Sequence, residues 1–246
     1  MTDVLVLCYH AVSPTWAATL SVTPDALERQ LSLLLRRGWR SATFTEAVLD
    51  PPAARTLAVT FDDAFASVCA LAQPILAALE IRATVFAPTA FMGHRQALEW
   101  PGIDQWQGTP DAGELMAMDW EDLGGLIELG WEIGSHTRTH PRLTALDDEP
   151  LDDELAGSSQ ECIERLGQPC RSIAYPYGEV DDRVADRARA VGYLAGAGLS
   201  SSLRPLGPHR WPRVGIYHRD VDQRFKLKMN PMMRRLRASQ LWPSAG

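Results

Sequence analysis

Two short stretches of the sequence combine residue types that can hold a metal ion. Residues 60–64 read TFDDA, so that two adjacent carboxylates, Asp62 and Asp63, end an apolar run. Residues 134–141 read GSHTRTHP, with His136 and His140 four positions apart. Neutral imidazole is the commonest protein metal ligand, and one Asp with two His is a familiar set that leaves a position open for water. Together these residues favour a divalent metal site, although each pair alone is as readily structural.

A third stretch, residues 174–178, reads AYPYG. Pro and Gly around an aromatic residue are typical of a rigid turn, and one of its backbone N–H groups can face an active site. Taken alone, the stretch is equally compatible with an ordinary turn between a strand and a helix.

The elements that must position these residues are repeated strand-then-helix units, which are typical of a parallel sheet. About seven strands favour a barrel over an open sheet, and each of the three stretches follows a strand, on the rim where barrel active sites collect. Helices are expected near 24–37, 67–80 (interrupted at Pro74), 119–130, 150–166 and 181–191, and a short helix is expected to begin at Thr43. The predicted strands are 4–9, 56–61, 83–87, 131–134, 171–174, 193–197 and 214–217.

Residues 88–118 break this alternation with several Gly and Pro residues and with Trp100 and Trp106. A loop of this length is uncommon and is often functional, so these two side chains could line a substrate groove.

Composition limits the classes of partner. The chain has 246 residues, 46% of them hydrophobic, and a formal net charge of -7. This balance gives no support for a nucleic-acid partner, and no apolar run approaches the roughly 20 residues that span a bilayer. The first residues lack the basic region of a secretory signal, so we expect a cytoplasmic protein if the natural chain begins at Met1.

The four cysteines are Cys8, Cys69, Cys162 and Cys170, and none of them forms a C-x-x-C pair. This spacing gives no support for a thiolate zinc site, and we expect reduced, mostly buried thiols.

The order and spacing of three motifs resemble those of the NodB-homology polysaccharide deacetylase family. The motifs are T-F-D-D, then H-T-x-x-H about seventy residues on, then Tyr-Pro-Tyr-Gly. The resemblance covers roughly residues 4–220 and implies an α/β fold that is a distorted, incomplete (β/α) barrel. It also implies a metal-dependent enzyme that removes N-acetyl groups from an N-acetylated sugar or polysaccharide and releases acetate. A divalent ion, for which Zn²⁺ is expected, would be its cofactor.

The resemblance also implies roles for individual residues. Asp62 matches the catalytic base of the family, whereas periodicity alone leaves Asp62 and Asp63 equivalent. The metal ligands would be Asp63, His136 and His140. The backbone N–H of Tyr177 matches the group that stabilises the oxyanion.

The chain departs from the family pattern at several positions. Ala64 replaces the usual Gly after the Asp pair, which requires a backbone angle that Ala tolerates. Ala174 stands where an Arg usually orients the base, and Arg210 and Arg213 are candidates to replace it.

The late Leu-x-His that supplies the general acid is also not evident. His218 is one substitute for it. We favour His10, because a subset of the family, including poly-N-acetylglucosamine deacetylases, begins with such a Tyr-His.

Two other functions remain as alternatives. The same barrel could hydrolyse a small amide or a cyclic imide, or it could be a catalytically silent carbohydrate-binding barrel. We divide the chain into a barrel domain, 1–220, and a basic C-terminal helix or tail, 221–246. The tail could contact an anionic membrane surface weakly, although an amphipathic helix packed on the barrel explains the same pattern.

Overall fold

The computed structural model describes residues 2–93 and 96–242. Within them, strands and α-helices alternate along most of the chain. The strands are β1 (Asp3–Tyr9), β2 (Ala11–Val12), β3 (Ser21–Val22), β4 (Arg40–Ala42), β5 (Arg55–Phe61), β6 (Thr84–Ala87), β7 (Glu132–Ser135), β8 (Ser172–Ala174), β9 (Ala195–Gly198), β10 (Trp211–Pro212) and β11 (Val214–Gly215). The α-helices are α1 (Pro24–Arg36), α2 (Phe44–Leu49), α3 (Gln73–Ala78), α4 (Trp120–Glu128), α5 (Asp148–Leu166), α6 (Asp182–Val191), α7 (Asp222–Lys228) and α8 (Pro231–Arg237).

The main sheet is a nearly closed barrel of parallel strands, which confirms the predicted fold class. Its hydrogen-bonded order is β10-β9-β8-β7-β6-β5-β1-β11, and β4 pairs with β5 beside this path. Eight strands thus form the barrel where about seven were predicted. The additional strand is β10, whose two residues are too few to give a periodic signal, whereas β11 corresponds to the predicted strand 214–217.

The two strands at the ends of this path, β10 and β11, are separated in sequence by Arg213 alone. The barrel therefore has a seam between β10 and β11, and Arg213 lies at that seam. β2 and β3 form a separate parallel pair.

Burial on both faces explains why the central strands are apolar throughout. Residues 5–9 of β1 and 56–61 of β5 are all buried, and Leu7 lies beside both Val59 and Val214 in the register. Parallel strands covered by helices on one face and by the barrel interior on the other contain such runs.

Local capping fixes several helices where the sequence predicted them. Thr23 accepts a hydrogen bond from the Ala26 N–H at the start of α1 (3.2 Å), and Glu46 accepts one from the Thr43 N–H at the start of α2 (3.0 Å). The interruption expected at Pro74 is also present. A π-helical turn, Val68–Ala72, precedes α3, and Pro74 lies in the first turn of α3, where a missing N–H has no cost.

Residues 88–118 are packed rather than structureless. The described part contains short 3₁₀ turns and two antiparallel bridges, Phe65–Ala117 and Ala97–Met116. Met92, Leu98 and Leu115 are fully buried in the main core. The segment therefore folds over the barrel as an extension of its core.

The prediction of reduced thiols is wrong for two of the four cysteines. Cys162 and Cys170 form a disulfide, with their Cα atoms 6.0 Å apart. The sequence does not show this pairing, because it depends on the turn after α5. Gly167 caps the helix with a φ of 70°, and the chain then reverses and returns Cys170 to the last turns of the helix. Cys8 is a buried thiol, as expected.

The C-terminal segment packs on the barrel through α7 and α8. Phe225 and Met229 are buried in the main core, and Arg234 donates hydrogen bonds to both carboxylate oxygens of Asp3 (2.6 and 3.2 Å). Residues 243–246 of the predicted tail lie outside the described residues. Among the described helices, none has the length and apolarity required to cross a membrane.

Candidate active site

Asp62 and Arg213 form a buried, two-pronged ion pair at the rim of the barrel. Arg213 Nη1 lies 2.6 Å from Asp62 Oδ1, and Nη2 lies 2.8 Å from Oδ2. Asp62 is 3% exposed and Arg213 is 1% exposed. Burial alone would raise the pKa of Asp62, but the guanidinium of Arg213 holds it far below the usual range. Asp62 is therefore ionised at neutral pH.

Arg213 reaches Asp62 because it lies at the seam between β10 and β11. Its Nη1 also donates to Thr60 Oγ1 (3.1 Å), and its Nε donates to the Gly198 carbonyl (3.3 Å). Arg210, the other candidate partner for Asp62, instead donates to Asp182 and to the Val180 carbonyl. Of the two candidate arginines, Arg213 is therefore the one that contacts the carboxylate.

The two adjacent carboxylates enter the same site because the chain turns as β5 ends. Asp63 and Ala64 both have left-handed backbone angles, with φ of 69° and 51°. The Asp62 N–H is still bonded to the Tyr9 carbonyl (3.0 Å), so the turn begins at Asp63. The expectation that residue 64 has an angle Ala readily tolerates is wrong, since a left-handed conformation costs a non-glycine residue roughly 1–2 kcal/mol. Such strain is often found at functional sites.

Asp63, His136 and His140 converge beside this ion pair. Asp63 Oδ1 lies 3.3 Å from His136 Nε2 and 3.4 Å from His140 Nε2. All three side chains are buried, and their candidate ligand atoms lie within 4.8 Å of one another. The residues between the two histidines form a bend rather than a helix, as predicted, with φ of 67° at Thr137 and 62° at His140.

The hydrogen bonds of this cluster suit a cation. His136 Nδ1 lies 2.7 Å from the Ala174 carbonyl, so Nδ1 carries the proton and the Nε2 lone pair points at Asp63. A lone pair and a carboxylate oxygen then face each other, and Asp63 Oδ1 has no hydrogen-bond donor among the described residues. Buried acceptors that face each other in this way require a proton or a metal ion between them. The three residues therefore fit a divalent metal ion.

Neighbouring elements hold the bend that carries His140. Glu154 of α5 accepts hydrogen bonds from the Arg138 N–H (2.8 Å) and the Thr139 N–H (2.9 Å). Trp100 stacks on the imidazole of His140 with 4.1 Å between ring centroids and is only 6% exposed. The indole of Trp100 therefore fixes a candidate ligand and is not an open sugar-stacking face.

Tyr177 and His10 also lie at this site. Tyr177 occupies the turn after β8 with φ of 59°, and its ring centroid is 4.9 Å from that of His140. A ring nitrogen of His10 lies within 4.8 Å of a carboxylate oxygen of Asp62. His10 Nδ1 is buried without a hydrogen-bond partner in the described structure.

His218, the other candidate acid, lies elsewhere. His218 lines a separate cavity together with Thr19 and Asp220. Its backbone N–H is bonded to the Thr19 carbonyl (3.0 Å).

Cys8 is a contact of Asp62 that the sequence analysis did not foresee. Its Sγ lies 3.4 Å from Asp62 Oδ2, and its side chain is fully buried. Burial raises the pKa of Cys8 well above its ordinary value, so the residue is a thiol that donates to the carboxylate. The pairing of Cys8 with Thr60 in the parallel register of β1 and β5 was the available signal, because it places Cys8 close to the end of β5.

Comparison with known proteins shows the family to which the chain belongs. The sequence profile of the polysaccharide deacetylase family matches residues 50–196, which is more than half of the chain. The chain belongs to this family, as the motifs predicted. Bacillus subtilis YxkH, whose name assigns it to the polysaccharide deacetylases, is 24% identical over 218 residues, which cover 86% of this chain and 70% of YxkH. Chitin deacetylase 1 of Cryptococcus neoformans is 36% identical over only 63 residues, 26% of this chain and 13% of that protein.

Solved structures share the fold. Streptococcus pyogenes deacetylase PplD, in complex with acetate, superposes with a TM-score of 0.76 at 21% identity, over 94% of this chain and 99% of that one. A de-N-acetylase from Aggregatibacter actinomycetemcomitans gives a TM-score of 0.73 at 18% identity, over 92% and 99% of the two chains. At this identity the likeness establishes a deacetylase-type barrel and no more.

Proposed function

We propose that the protein is a metal-dependent hydrolase that removes N-acetyl groups from an N-acetylated sugar or polysaccharide. The observation that carries this proposal is the pairing of an ionised, Arg213-bound Asp62 with the adjacent Asp63–His136–His140 cluster. A general base beside a metal site is the equipment that amide hydrolysis requires, because an amide is a poor electrophile with a poor leaving group. Family membership supports the same reaction.

The metal would be held by Asp63, His136 and His140, and Zn²⁺ suits one carboxylate and two imidazoles. When bound, a divalent ion polarises the amide carbonyl and lowers the pKa of a coordinated water towards about 7. His136 is oriented for this role by the bond of its Nδ1–H to the Ala174 carbonyl, which leaves Nε2 free as a ligand.

Asp62 acts as the general base and accepts a proton from the attacking water at a carboxylate oxygen. Arg213 holds Asp62 ionised and fixes its orientation through two hydrogen bonds. General-base catalysis of this kind contributes about 10²–10⁴-fold to the rate.

The Tyr177 N–H donates to the oxyanion that develops on the former carbonyl oxygen, an interaction worth roughly 3–4 kcal/mol. His10 donates a proton to the departing nitrogen. The C–N bond breaks, and the products are acetate and a free amine. The position of His10 near Asp62 supports this role, whereas His218 lines a separate cavity.

Release of acetate tests the proposal. Purified protein supplied with Zn²⁺ should release acetate from N-acetylated oligosaccharides, and Asp62→Asn should lose turnover while still binding the metal. Asp182→Asn is the matched control, because Asp182 is an exposed carboxylate that pairs with Arg210 and not with Arg213.

Three outcomes contradict the proposal. Turnover of small amides or cyclic imides without turnover of sugars would assign a different substrate. Oligosaccharide binding without acetate release would indicate a silent barrel. Full activity in Asp62→Asn would remove the assigned base.

A further inference from the structure

A cavity of about 350 Å³ opens at the rim of the barrel, beside the candidate active site. Tyr177 and Arg213, which belong to the site, form part of its wall. The rest comes from the segment after β9, from the end of β11 and from the C-terminal helices, which contribute Lys228 and Arg237. The cavity thus spans the seam of the barrel, and α7 and α8 close it from outside.

All the charged side chains that line this cavity are cations. Its charged side chains are Arg213, Lys228 and Arg237, and no carboxylate is among the described residues that line it. The charge of Arg213 is neutralised by Asp62, and Lys228 is bonded to Asp220. Arg237 has no carboxylate within ion-pair distance among the residues that the structure describes.

Arg237 is fixed in place despite the lack of a counter-ion. Its Nε donates to the Ser201 carbonyl (2.8 Å), and its Nη2 lies 3.5 Å from the Ser200 carbonyl. The backbone of Arg237 also accepts the Leu203 N–H (2.9 Å), which ties the end of α8 to the segment after β9. Burial lowers the pKa of Arg237, as expected for a cation that has lost part of its hydration without gaining an anionic partner.

A half-buried guanidinium without an anion, held by backbone carbonyls at the edge of a cavity, is suited to bind an oxyanion. Arg presents several donors in a planar fork that matches carboxylate and phosphate groups. Tyr177 and Arg213 line both the cavity and the candidate site, so the cavity adjoins the place where the reacting amide would bind.

We propose that this cavity is a subsite for an anionic group, a phosphate or a carboxylate, carried by the N-acetylated substrate, with Arg237 as its main ligand. The proposal rests on the proposed function and narrows its substrate class from N-acetylated sugars and polysaccharides in general to those that carry an anionic group. It also gives the basic C-terminal segment a role in substrate selection.

The first test measures binding and does not depend on turnover. Inorganic phosphate is titrated into the full-length protein and followed by calorimetry, with Arg237→Gln compared with Arg235→Gln. Arg235 belongs to the same helix and is exposed. Both variants lose one positive charge, so they differ in whether the lost side chain lines the cavity. The affinity for phosphate should fall about 10- to 100-fold in Arg237→Gln, as expected for a charge-assisted bond, and should be unchanged in Arg235→Gln. Equal affinities in the two variants would overturn the subsite.

The second test compares acetate release from three forms of one N-acetylated oligosaccharide: neutral, with a terminal phosphate, and with a carboxylate. The wild-type protein should have a higher kcat/KM for one of the anionic forms, and which form it prefers identifies the group. The preference should fall about 10- to 100-fold in Arg237→Gln but not in Arg235→Gln.

The two proposals fail in different ways. Equal kcat/KM for all three forms would overturn the subsite and leave the deacetylase proposal intact. No acetate from any form, together with phosphate binding that depends on Arg237, would contradict the deacetylase proposal and retain an anion site.

Discussion

The guanidinium of Arg213 and the carboxylate of Asp62 bond to each other through both pairs of atoms, at 2.6 and 2.8 Å, although 151 positions separate the two residues in sequence. The pair joins the seam of the barrel to the end of β5. It holds the candidate base in one orientation and keeps it ionised. A buried ion pair of this kind leaves an uncompensated charge when one partner is removed.

Arg213→Gln should therefore be strongly destabilising. We expect the free energy of unfolding, measured by urea denaturation, to fall by about 3–5 kcal/mol. Arg213→Lys keeps the charge but loses the two-pronged geometry, so its stability should be intermediate and its kcat reduced. The control Arg210→Gln removes a partner of exposed Asp182 and should cost no more than about 1 kcal/mol. Similar losses in Arg210→Gln and Arg213→Gln would show that the ion pair has no special role.

The loss of kcat on replacement of His10 should be larger when the leaving group of the substrate is poorer. We expect His10→Asn to lower kcat for an N-acetyl substrate by about 10²–10⁴-fold and to lower kcat for an activated acetate ester much less. An activated ester needs no proton on its leaving group, which explains the difference. His218→Asn is the matched control and should leave both rates close to wild type. Equal losses on the two substrates in His10→Asn would count against a general acid.

Cys8 should support Asp62 through its thiol. Cys8→Ala removes the donor 3.4 Å from Asp62 Oδ2, and we expect a loss of about 1 kcal/mol in unfolding free energy with a lower kcat. Cys8→Ser retains a donor and should keep more activity than Cys8→Ala. Cys69→Ser serves as the control for general effects of cysteine replacement. If Cys8→Ala has the activity of the wild-type protein, the thiol has no part in positioning the base.

The disulfide between Cys162 and Cys170 should stabilise the chain without affecting catalysis. It closes a short loop, eight positions apart in sequence, for which chain entropy gives about 2–3 kcal/mol. Cys162→Ser with Cys170→Ser should lower the free energy of unfolding by about this amount and leave kcat unchanged at a temperature where the protein is folded. A reductant should have no further effect on the double variant, and an equal effect on both proteins would mean that the bond does not form in solution.

The sequence predicted the barrel because apolar strands and capped helices can be recognised from a few adjacent residues. The Asp pair and the two histidines were recognised in the same way as candidate ligands, but the choice of Asp63 over Asp62 came from the resemblance to the family. The choice between Arg210 and Arg213 could not be made in this way, since it depends on which of them lies at the seam formed when the sheet curves. Periodicity likewise predicted the loop of residues 88–118 but not that it would place Trp100 against His140.

The disulfide and the cationic cavity both depend on where the chain turns back on itself, which the composition and spacing of the residues do not show. Cys162 and Cys170 are close only because Gly167 reverses the chain, and Arg237 enters the rim only because α8 folds back over the seam. The charge pattern of the C-terminal segment predicts a basic helix or tail, but it does not predict where the side chain of Arg237 lies.

Zinc stoichiometry tests the central claim most directly. Metal-free wild-type protein, dialysed against Zn²⁺ and measured by elemental mass spectrometry, should bind one ion per chain, as should folded Asp62→Asn. Asp63→Ala and His136→Ala should bind at least 100-fold more weakly, because each removes one of three ligands. Stoichiometric zinc that survives both of these substitutions, or a wild-type chain that binds none, would contradict the metal site on which the proposed hydrolysis depends.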